Sequence, residues 1–114
     1  MFAQVIRGET ATETLDELNA LVRDGLIPAL QDEPGFAGAL SLFDRSGRGM
    51  MIVLWDTEDQ ARRPSEDRGG ALRGVLSNMA ALSTRPNDPA TIWEVGCKVV
   101  HMGSSRRLTG EPSL

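Results

Sequence analysis

Few side chains in this 114-residue sequence are suited to acid–base or nucleophilic catalysis. His101 is the single histidine, and because its ordinary pKa lies near neutrality it is a candidate general base. It lies at or past the end of the last predicted strand, so a solvated terminal histidine is the alternative. Cys97, the single cysteine, cannot form a disulfide within the chain or a multi-thiolate metal site. The sequence has no phosphate-loop, nucleophile-elbow, metal or nucleotide motif, and we expect no cofactor.

Two tryptophans could bind an aromatic ligand. Trp55 ends an apolar run that begins at Met50, and a tryptophan there could stack on a planar ring at the mouth of a pocket. Trp55 is therefore the second candidate for a catalytic role. The alternative is a core tryptophan packed on a helix, with a partner for its indole N–H. Trp93 has the same two interpretations, and core packing is favoured for it.

Several flexible side chains could contact a ligand as well. Arg62, Arg63 and Arg73 could hold a carboxylate or phenolate over a pocket. Most arginines on helix surfaces are solvated or paired with acidic neighbours such as Glu58, which is the alternative here. Met51 could provide an adaptable ligand surface, although filling the core is the commoner use of methionine.

Hydrophobic periodicity predicts four strands and two helical regions. The strands are 2–7, 36–43, 50–55 and 91–100, and the helical regions are 13–31 and a second one from Asp56 or Thr57 that Pro64 interrupts and restarts. Pro28 is expected to kink or loosen the last turn of the first helix. Thr10–Glu13 and Thr14–Glu17 have the spacing of a capping box. The order β-α-β-β-α-β predicts an α+β, ferredoxin-like fold with a four-stranded antiparallel sheet.

Length and charge limit the class of protein. The 114 residues fit one domain, which we place at 1–100, followed by a flexible C-terminal tail at 101–114. The net charge of −4 and the pI near 4.9 argue against a nucleic-acid partner or an anionic membrane surface. The sequence has no apolar run of about 18 residues and no signal-peptide pattern at its N-terminus. We therefore expect a cytoplasmic protein with no membrane partner.

The strand sequences predict a homodimer. Two helices can cover only one face of a four-stranded sheet, and a solvated second face would show alternating apolar and polar residues. The run from Met50 to Trp55 is apolar throughout, and 36–43 has apolar residues on both faces. A second copy packed sheet against sheet would cover the outer face. A central strand shielded by long side chains is the alternative.

Three segments resemble the antibiotic biosynthesis monooxygenase-like domains of the dimeric α/β-barrel superfamily. The first is Ile27–Leu30 with Pro34–Gly38, where a helix ends and a strand starts. The second is Val53–Asp59, in which the tryptophan that ends a strand is followed by acidic and hydroxyl residues. The third is Arg63–Leu72, which is similar to the second helix of a bacterial branch of the family. The resemblance covers about residues 2–100. It implies the ferredoxin-like fold, the dimer formed through the sheet faces, and a pocket between sheet and helices about the size of a small fused-ring aromatic.

The side chains that we predict to line this pocket are Phe36, Met51, Trp55, Arg62, Leu72 and Trp93. Haem-degrading members use an Asn on the first strand, a Trp in the second helix and a His further along it. This chain has no Asn on the first strand, Arg62 where a second aromatic commonly lies and Leu72 in place of the His, so haem degradation is not expected. Polyketide-oxidising members use Trp, Tyr and Asn. Here Trp55 matches the strand-ending Trp, whereas Tyr is absent and Met51 stands four residues before Trp55.

Three functional hypotheses remain open. The resemblance implies a small cofactor-independent monooxygenase that deprotonates a planar phenolic or polyketide-like molecule and lets the carbanion react with dioxygen. In that mechanism Trp55 orients the ring and an arginine stabilises the anion. The second hypothesis is a non-catalytic dimer that binds a small apolar metabolite, and the third is a structural or stress-related dimer with no ligand. The missing Tyr, Asn and His groups favour the last two, and the analogy of fold favours the first.

Overall fold

The predicted order of elements is confirmed in the computed structural model, which describes residues 1–99. In chain order the elements are β1 (Phe2–Glu9), a 3₁₀ turn (Thr12–Thr14), α1 (Leu15–Leu21), a π-helical turn (Val22–Leu26), α2 (Ile27–Gln31), β2 (Phe36–Phe43), β3 (Arg48–Trp55), α3 (Glu58–Arg62), a second 3₁₀ turn (Ser65–Asp67), α4 (Gly70–Ala80) and β4 (Thr91–Glu94). The candidate base His101 and the predicted tail 101–114 lie outside the described residues. Within those residues, no helix is both long and apolar enough to cross a bilayer.

The four strands form one antiparallel sheet in the order β2-β3-β1-β4. β1 and β3 are the central strands, and their register pairs Phe2 with Trp55 and Gln4 with Val53. Directly paired residues point to the same face, so these four side chains share one side of the sheet. This is the predicted ferredoxin-like α+β fold.

The helices cover only the face of the sheet that carries Trp55. The core joins that face to the helices and is built from Val22, Leu26, Ala29, Leu30, Val53, Trp55, Ala61 and Leu72. The other face carries the alternate residues of the same strands: Ala3, Val5, Leu40, Leu42, Met50, Ile52, Leu54 and Trp93. No described segment packs a helix on this second face, which is apolar as the strand sequences predicted.

The first helical region contains a π-helical turn. Residues Thr12 to Gln31 are helical nearly throughout, as predicted, but the irregularity lies at Val22–Leu26, one turn before the position expected for the Pro28 kink. Proline lacks an N–H, and its ring collides with the carbonyl four residues earlier, here that of Asp24. Widening the preceding turn to i→i+5 spacing accommodates Pro28 at the start of α2.

The second helical region begins at Thr57 as predicted, but it continues differently after Pro64. α3 begins with a capping box in which the Thr57 hydroxyl accepts from the Gln60 N–H and the Gln60 side chain accepts from the Thr57 N–H. The chain then makes only a 3₁₀ turn after Pro64, and Arg68 has extended backbone before α4 starts at Gly70. The predicted restart of the helix at Pro64 is therefore wrong, because Arg68 leaves the helical path and turns its side chain inwards.

Two further local predictions are corrected. Neither predicted capping box near the first helix forms, because the Thr14 hydroxyl donates to the Ala11 carbonyl. β4 spans only Thr91–Glu94 rather than 91–100. Its partner β1 begins at Phe2, and the last contact is the Val95 N–H donated to the Met1 carbonyl at 3.0 Å.

The turn between β2 and β3 places a glycine against the start of the first helical region. Gly47 has a φ of 97°, and its carbonyl accepts from the Thr10 N–H at 2.8 Å. A Cβ atom at Gly47 would lie 2.0 Å from the Thr10 carbonyl oxygen. Both the left-handed backbone and the close approach therefore require glycine at this turn.

We expect Gly47→Ala to lower the free energy of unfolding by about 2 kcal/mol or more, because the methyl group meets a backbone atom and the φ angle penalises a side chain. The matched control is Gly74→Ala, which adds a methyl group into open space in α4 and should raise stability by about 0.5–1 kcal/mol. Urea unfolding of both variants measures the difference. Equal destabilisation by the two substitutions would contradict the described turn.

Candidate functional site

A cavity of about 400 Å³ lies between the helix-covered face of the sheet and the helices. Its floor is formed by β1 and β3, including Gln4, Met51 and Val53, and its roof includes Leu72 of α4. The paired residues Gly8 and Gly49 also lie on this face of the sheet. Neither contributes a side chain to the core, and Asn87 occupies the space directly over Gly8.

Trp55 forms one end of the cavity and is held on three sides. Its side chain is 1% exposed, and its indole Nε1 donates to Gln4 Oε1 at 3.1 Å. The Phe36 ring meets it edge to face, with centroids 6.1 Å apart and planes at 79°. The Arg68 guanidinium carbon lies 4.3 Å from its ring centroid, which is a cation–π contact. The position and orientation of the indole are therefore fixed.

Arg68 is a buried cation on the wall of the cavity. Its side chain is 5% exposed, its Nη2 donates to the Gln60 carbonyl at 3.0 Å, and its Nη1 lies 3.9 Å from Glu33 Oε1. Burial lowers the pKa of Arg68, and the neighbouring charge of Arg63 lowers it further, whereas the carboxylate of Glu33 acts in the opposite direction. The ordinary pKa is so high that the guanidinium stays charged at neutral pH.

Glu33, the counter-charge to Arg68, is only partly satisfied. Its side chain is 8% exposed, and its Oε2 accepts from the Gly69 N–H at 3.1 Å. Its Oε1 makes no hydrogen bond to any described residue. A buried carboxylate oxygen without a donor is costly, so this end of the cavity contains charges that the described protein atoms do not fully pair.

The opposite end of the cavity carries negative charge. Glu9 and Asp88 lie on its wall, and Arg85 bridges them from outside, with Nε 3.3 Å from Glu9 Oε2 and Nη1 2.9 Å from Asp88 Oδ1. These hydrogen bonds raise the pKa of Arg85. Asn87 lies over Gly8 and helps to close this end. The cavity is thus apolar in the middle, cationic at the Trp55 end and anionic at the other.

The structure brings three of the six predicted pocket residues to the cavity wall: Met51, Trp55 and Leu72. Phe36 lies behind Trp55 and supports it rather than facing the cavity. Arg62 is exposed and pairs with Glu58 at 2.7 Å, because the capped helix α3 directs it to solvent. Trp93 lies on the uncovered face of the sheet, 60% exposed. Whether any of these residues contacts a ligand stays a prediction.

The sequence interpretation missed two residues that organise this site. Arg68 was not singled out among the arginines, because the predicted helix start at Pro64 would have placed it on a helix surface. The adjacent Gly69 and Gly70 are the signal that could have shown a break in the helix there. Gln4 was not considered either, because its role depends on the register that sets it beside Trp55. Among residues 1–99, no group of three or more His, Cys, Asp or Glu side chains could hold a metal ion.

No family model matches the sequence, and no curated protein matches it. Solved structures match over most of the chain, and one of them is an antibiotic biosynthesis monooxygenase with a TM-score of 0.66 and 12% identity, covering 83% of this chain and 98% of that one. SnoaB, a cofactor-independent oxygenase from Streptomyces nogalater, matches with a TM-score of 0.66 and 17% identity over 88% of this chain and 97% of its own. Rv0793 from Mycobacterium tuberculosis matches with a TM-score of 0.65 and 14% identity over 87% of this chain and 98% of its own.

These matches agree on architecture. They cover nearly the whole of each chain, so the likeness extends to the complete domain rather than to one motif. At identities of 12–17% they define the fold alone. Any statement about chemistry must therefore be argued from the residues of the site. The fold is that of antibiotic biosynthesis monooxygenase-like domains, which confirms the resemblance predicted from Ile27–Leu30, Val53–Asp59 and the neighbouring segments.

The hydrogen bond from Trp55 to Gln4 yields a test of the site geometry. We expect Gln4→Leu to lower the free energy of unfolding by about 1–3 kcal/mol, because the buried indole N–H loses its acceptor. Gln31→Leu, an exposed substitution of the same kind at the end of α2, should change stability by less than about 0.5 kcal/mol. Urea unfolding compares the two. Equal stability of both variants would mean that Gln4 is not the partner of Trp55.

Proposed function

We propose that this protein is a small cofactor-independent monooxygenase that acts on a planar phenolic or polyketide-like molecule. The observation that carries the proposal is the mainly apolar cavity of about 400 Å³ between the sheet and the helices. Ligand pockets have volumes of roughly 300–1,000 Å³, and a cavity of about 150 Å³ already holds benzene. A molecule of two or three fused rings therefore matches the space. The cytoplasm remains the proposed compartment.

In this proposal the substrate supplies the electrons. Removal of a proton from the electron-rich ring leaves a carbanion, which adds dioxygen to give a hydroperoxide. Loss of water then leaves a carbonyl group, so that one oxygen atom enters the product and the other leaves as water. Trp55 orients the ring, and Asp88 on the cavity wall is the described carboxylate that would accept the proton. SnoaB, of the same fold, is a cofactor-independent oxygenase, which supports the reaction class by analogy.

A second candidate function is binding without catalysis. Arg85 forms ion pairs with Glu9 and with Asp88, and Asp88 would have to leave its pair to act as a base. A dimer that binds or sequesters a planar metabolite uses the same cavity and needs no base. A stress-related role is included in this alternative. The two functions differ in whether oxygen is consumed when the ligand binds.

We also propose that the functional form is a homodimer. Leu40, Leu42 and Trp93, on the sheet face that no described helix covers, are 54%, 45% and 60% exposed. Together with Ala3, Ile52 and Leu54 they form a contiguous apolar surface across all four strands, of a kind that soluble monomers rarely expose. The same face of a second copy is self-complementary to it.

Oxygen uptake tests the catalytic proposal. With anthrones or hydroquinones and a chelator present, we expect oxygen consumption above the rate without protein. Ser41→Trp introduces a bulky side chain at the cavity wall on edge strand β2 and should reduce the rate at least about tenfold. The matched control Ser77→Trp places the same side chain on the exposed surface of α4 and should leave it unchanged. Binding of these compounds without oxygen uptake would favour the second function.

Analytical ultracentrifugation tests the dimer. We expect the native protein to sediment as a dimer and Leu40→Glu as a folded monomer, because a carboxylate on the apolar sheet face would be buried without a partner. Ser77→Glu carries the same added charge on α4 and should remain dimeric. A monomeric native protein at micromolar concentration would contradict this assembly.

A further inference from the structure

The Trp55 end of the cavity contains an arginine with unused hydrogen-bond donors. A guanidinium has five N–H donors, and Arg68 makes one hydrogen bond to described residues, from Nη2 to the Gln60 carbonyl. Its approach to Glu33, at 3.9 Å, is an ion pair without a hydrogen bond. Stacking on Trp55 holds the guanidinium in place. The remaining donors lie on the cavity wall, and the side chain as a whole is buried.

The chemistry of these donors favours a carboxylate. A guanidinium forms two parallel hydrogen bonds with a carboxylate, and such charge-assisted pairs are strong when water is excluded. The cation–π contact with Trp55 uses none of these N–H donors. A neutral hydroxyl or amide would use fewer donors and leave the buried charge less well paired.

The charges around the cavity favour the same ligand in a single orientation. Arg63 also lies on the wall near Arg68, so this end has two positive side chains and the one negative charge of Glu33. At the far end, Arg85 offsets only one of the two negative charges of Glu9 and Asp88, so a net negative charge remains there and disfavours an anion. An aromatic acid would therefore enter with its carboxylate towards Trp55 and its rings in the apolar middle of the cavity.

We propose that Arg68 forms an anion subsite at the Trp55 end of the cavity, and that the ligand is a planar aromatic molecule bearing a carboxylate. This inference rests on the proposed function, because it requires the cavity to bind a planar ligand. It adds the ligand's charge, its orientation and the residue that recognises it.

Calorimetric titration with two ligands of the same shape tests the subsite. The probes are 2-naphthoate, which is charged at neutral pH, and 2-naphthamide, which has the same rings and no charge. A hydrogen-bonded charge pair contributes enough binding free energy to make the Kd of 2-naphthoate lower than that of 2-naphthamide by about tenfold or more. We expect the native protein to bind 2-naphthoate with this preference over 2-naphthamide.

Three variants assign the preference to Arg68. The double variant Arg68→Met/Glu33→Gln removes both members of the buried pair and should bind the two probes within about twofold of each other. Glu33→Gln alone removes the opposing charge and should tighten 2-naphthoate binding several-fold without changing that of 2-naphthamide. Arg62→Gln removes an arginine that pairs with Glu58 on the surface and should retain the native preference.

The outcomes separate this inference from the proposed function. Binding of both probes with equal affinity to the native protein would overturn the anion subsite and leave the cavity's role in place. A preference that survives in the double variant, or that is lost in Arg63→Gln instead, would overturn the assignment to Arg68. If neither probe binds although anthrones or quinones do, the anion subsite is overturned and the proposed function stands, whereas both proposals fail if no planar compound binds. Weaker binding of 2-naphthoate to Glu33→Gln would show that Arg68 and Glu33 form only a structural pair.

Discussion

The packing of Trp55 is the constraint on which the rest of this structure depends. The indole is buried at the end of a central strand, so its N–H needs an acceptor inside the protein, and Gln4 of the neighbouring strand provides one. Its ring needs partners on its edge and face, and Phe36 and Arg68 provide them. A desolvated cation–π contact contributes about 2 kcal/mol. One side chain thereby ties together β1, β2, β3 and the loop before α4.

The same packing explains why an arginine is buried beside a cavity. Arg68 reaches Trp55 only because Pro64, Gly69 and Gly70 keep the chain from continuing as one helix between α3 and α4. Once there, its charge is offset by Glu33, whose position is fixed in turn by the Gly69 N–H. The result is a polar end wall on a cavity whose floor is otherwise apolar and partly made of glycine.

Much of the fold could be predicted from sequence because hydrophobic periodicity is a local signal. The four strands, the two helical regions, the antiparallel order and the uncovered apolar face all followed from patterns such as the run from Met50 to Trp55. The errors arose where tertiary contacts override local preference. The capping box formed at Thr57 rather than at Thr10 or Thr14. Arg68 has extended backbone in place of the helix that Pro64 was expected to start, and this backbone lets its side chain contact Trp55.

The site was harder to predict than the fold for a physical reason. Sequence patterns indicate which residues are apolar, but the register of the sheet decides which face each residue occupies. Trp93 and Trp55 look alike in sequence, yet the pairing of β4 with β1 sends Trp93 to the face opposite the cavity. Arg62 and Arg68 are close to each other in sequence, and only the backbone between them determines which of the two side chains points into the protein.

A thermal-shift measurement with planar ligands tests most directly whether the cavity between the sheet and the helices binds them. A ligand that binds only the folded state stabilises it by about 2.7 kcal/mol at a concentration a hundred times its Kd. Among anthrones, quinones, flavonoids and haem, the account predicts a raised Tm with at least one phenolic or quinone class. An unchanged Tm with every compound would contradict it and would leave a structural dimer as the better interpretation.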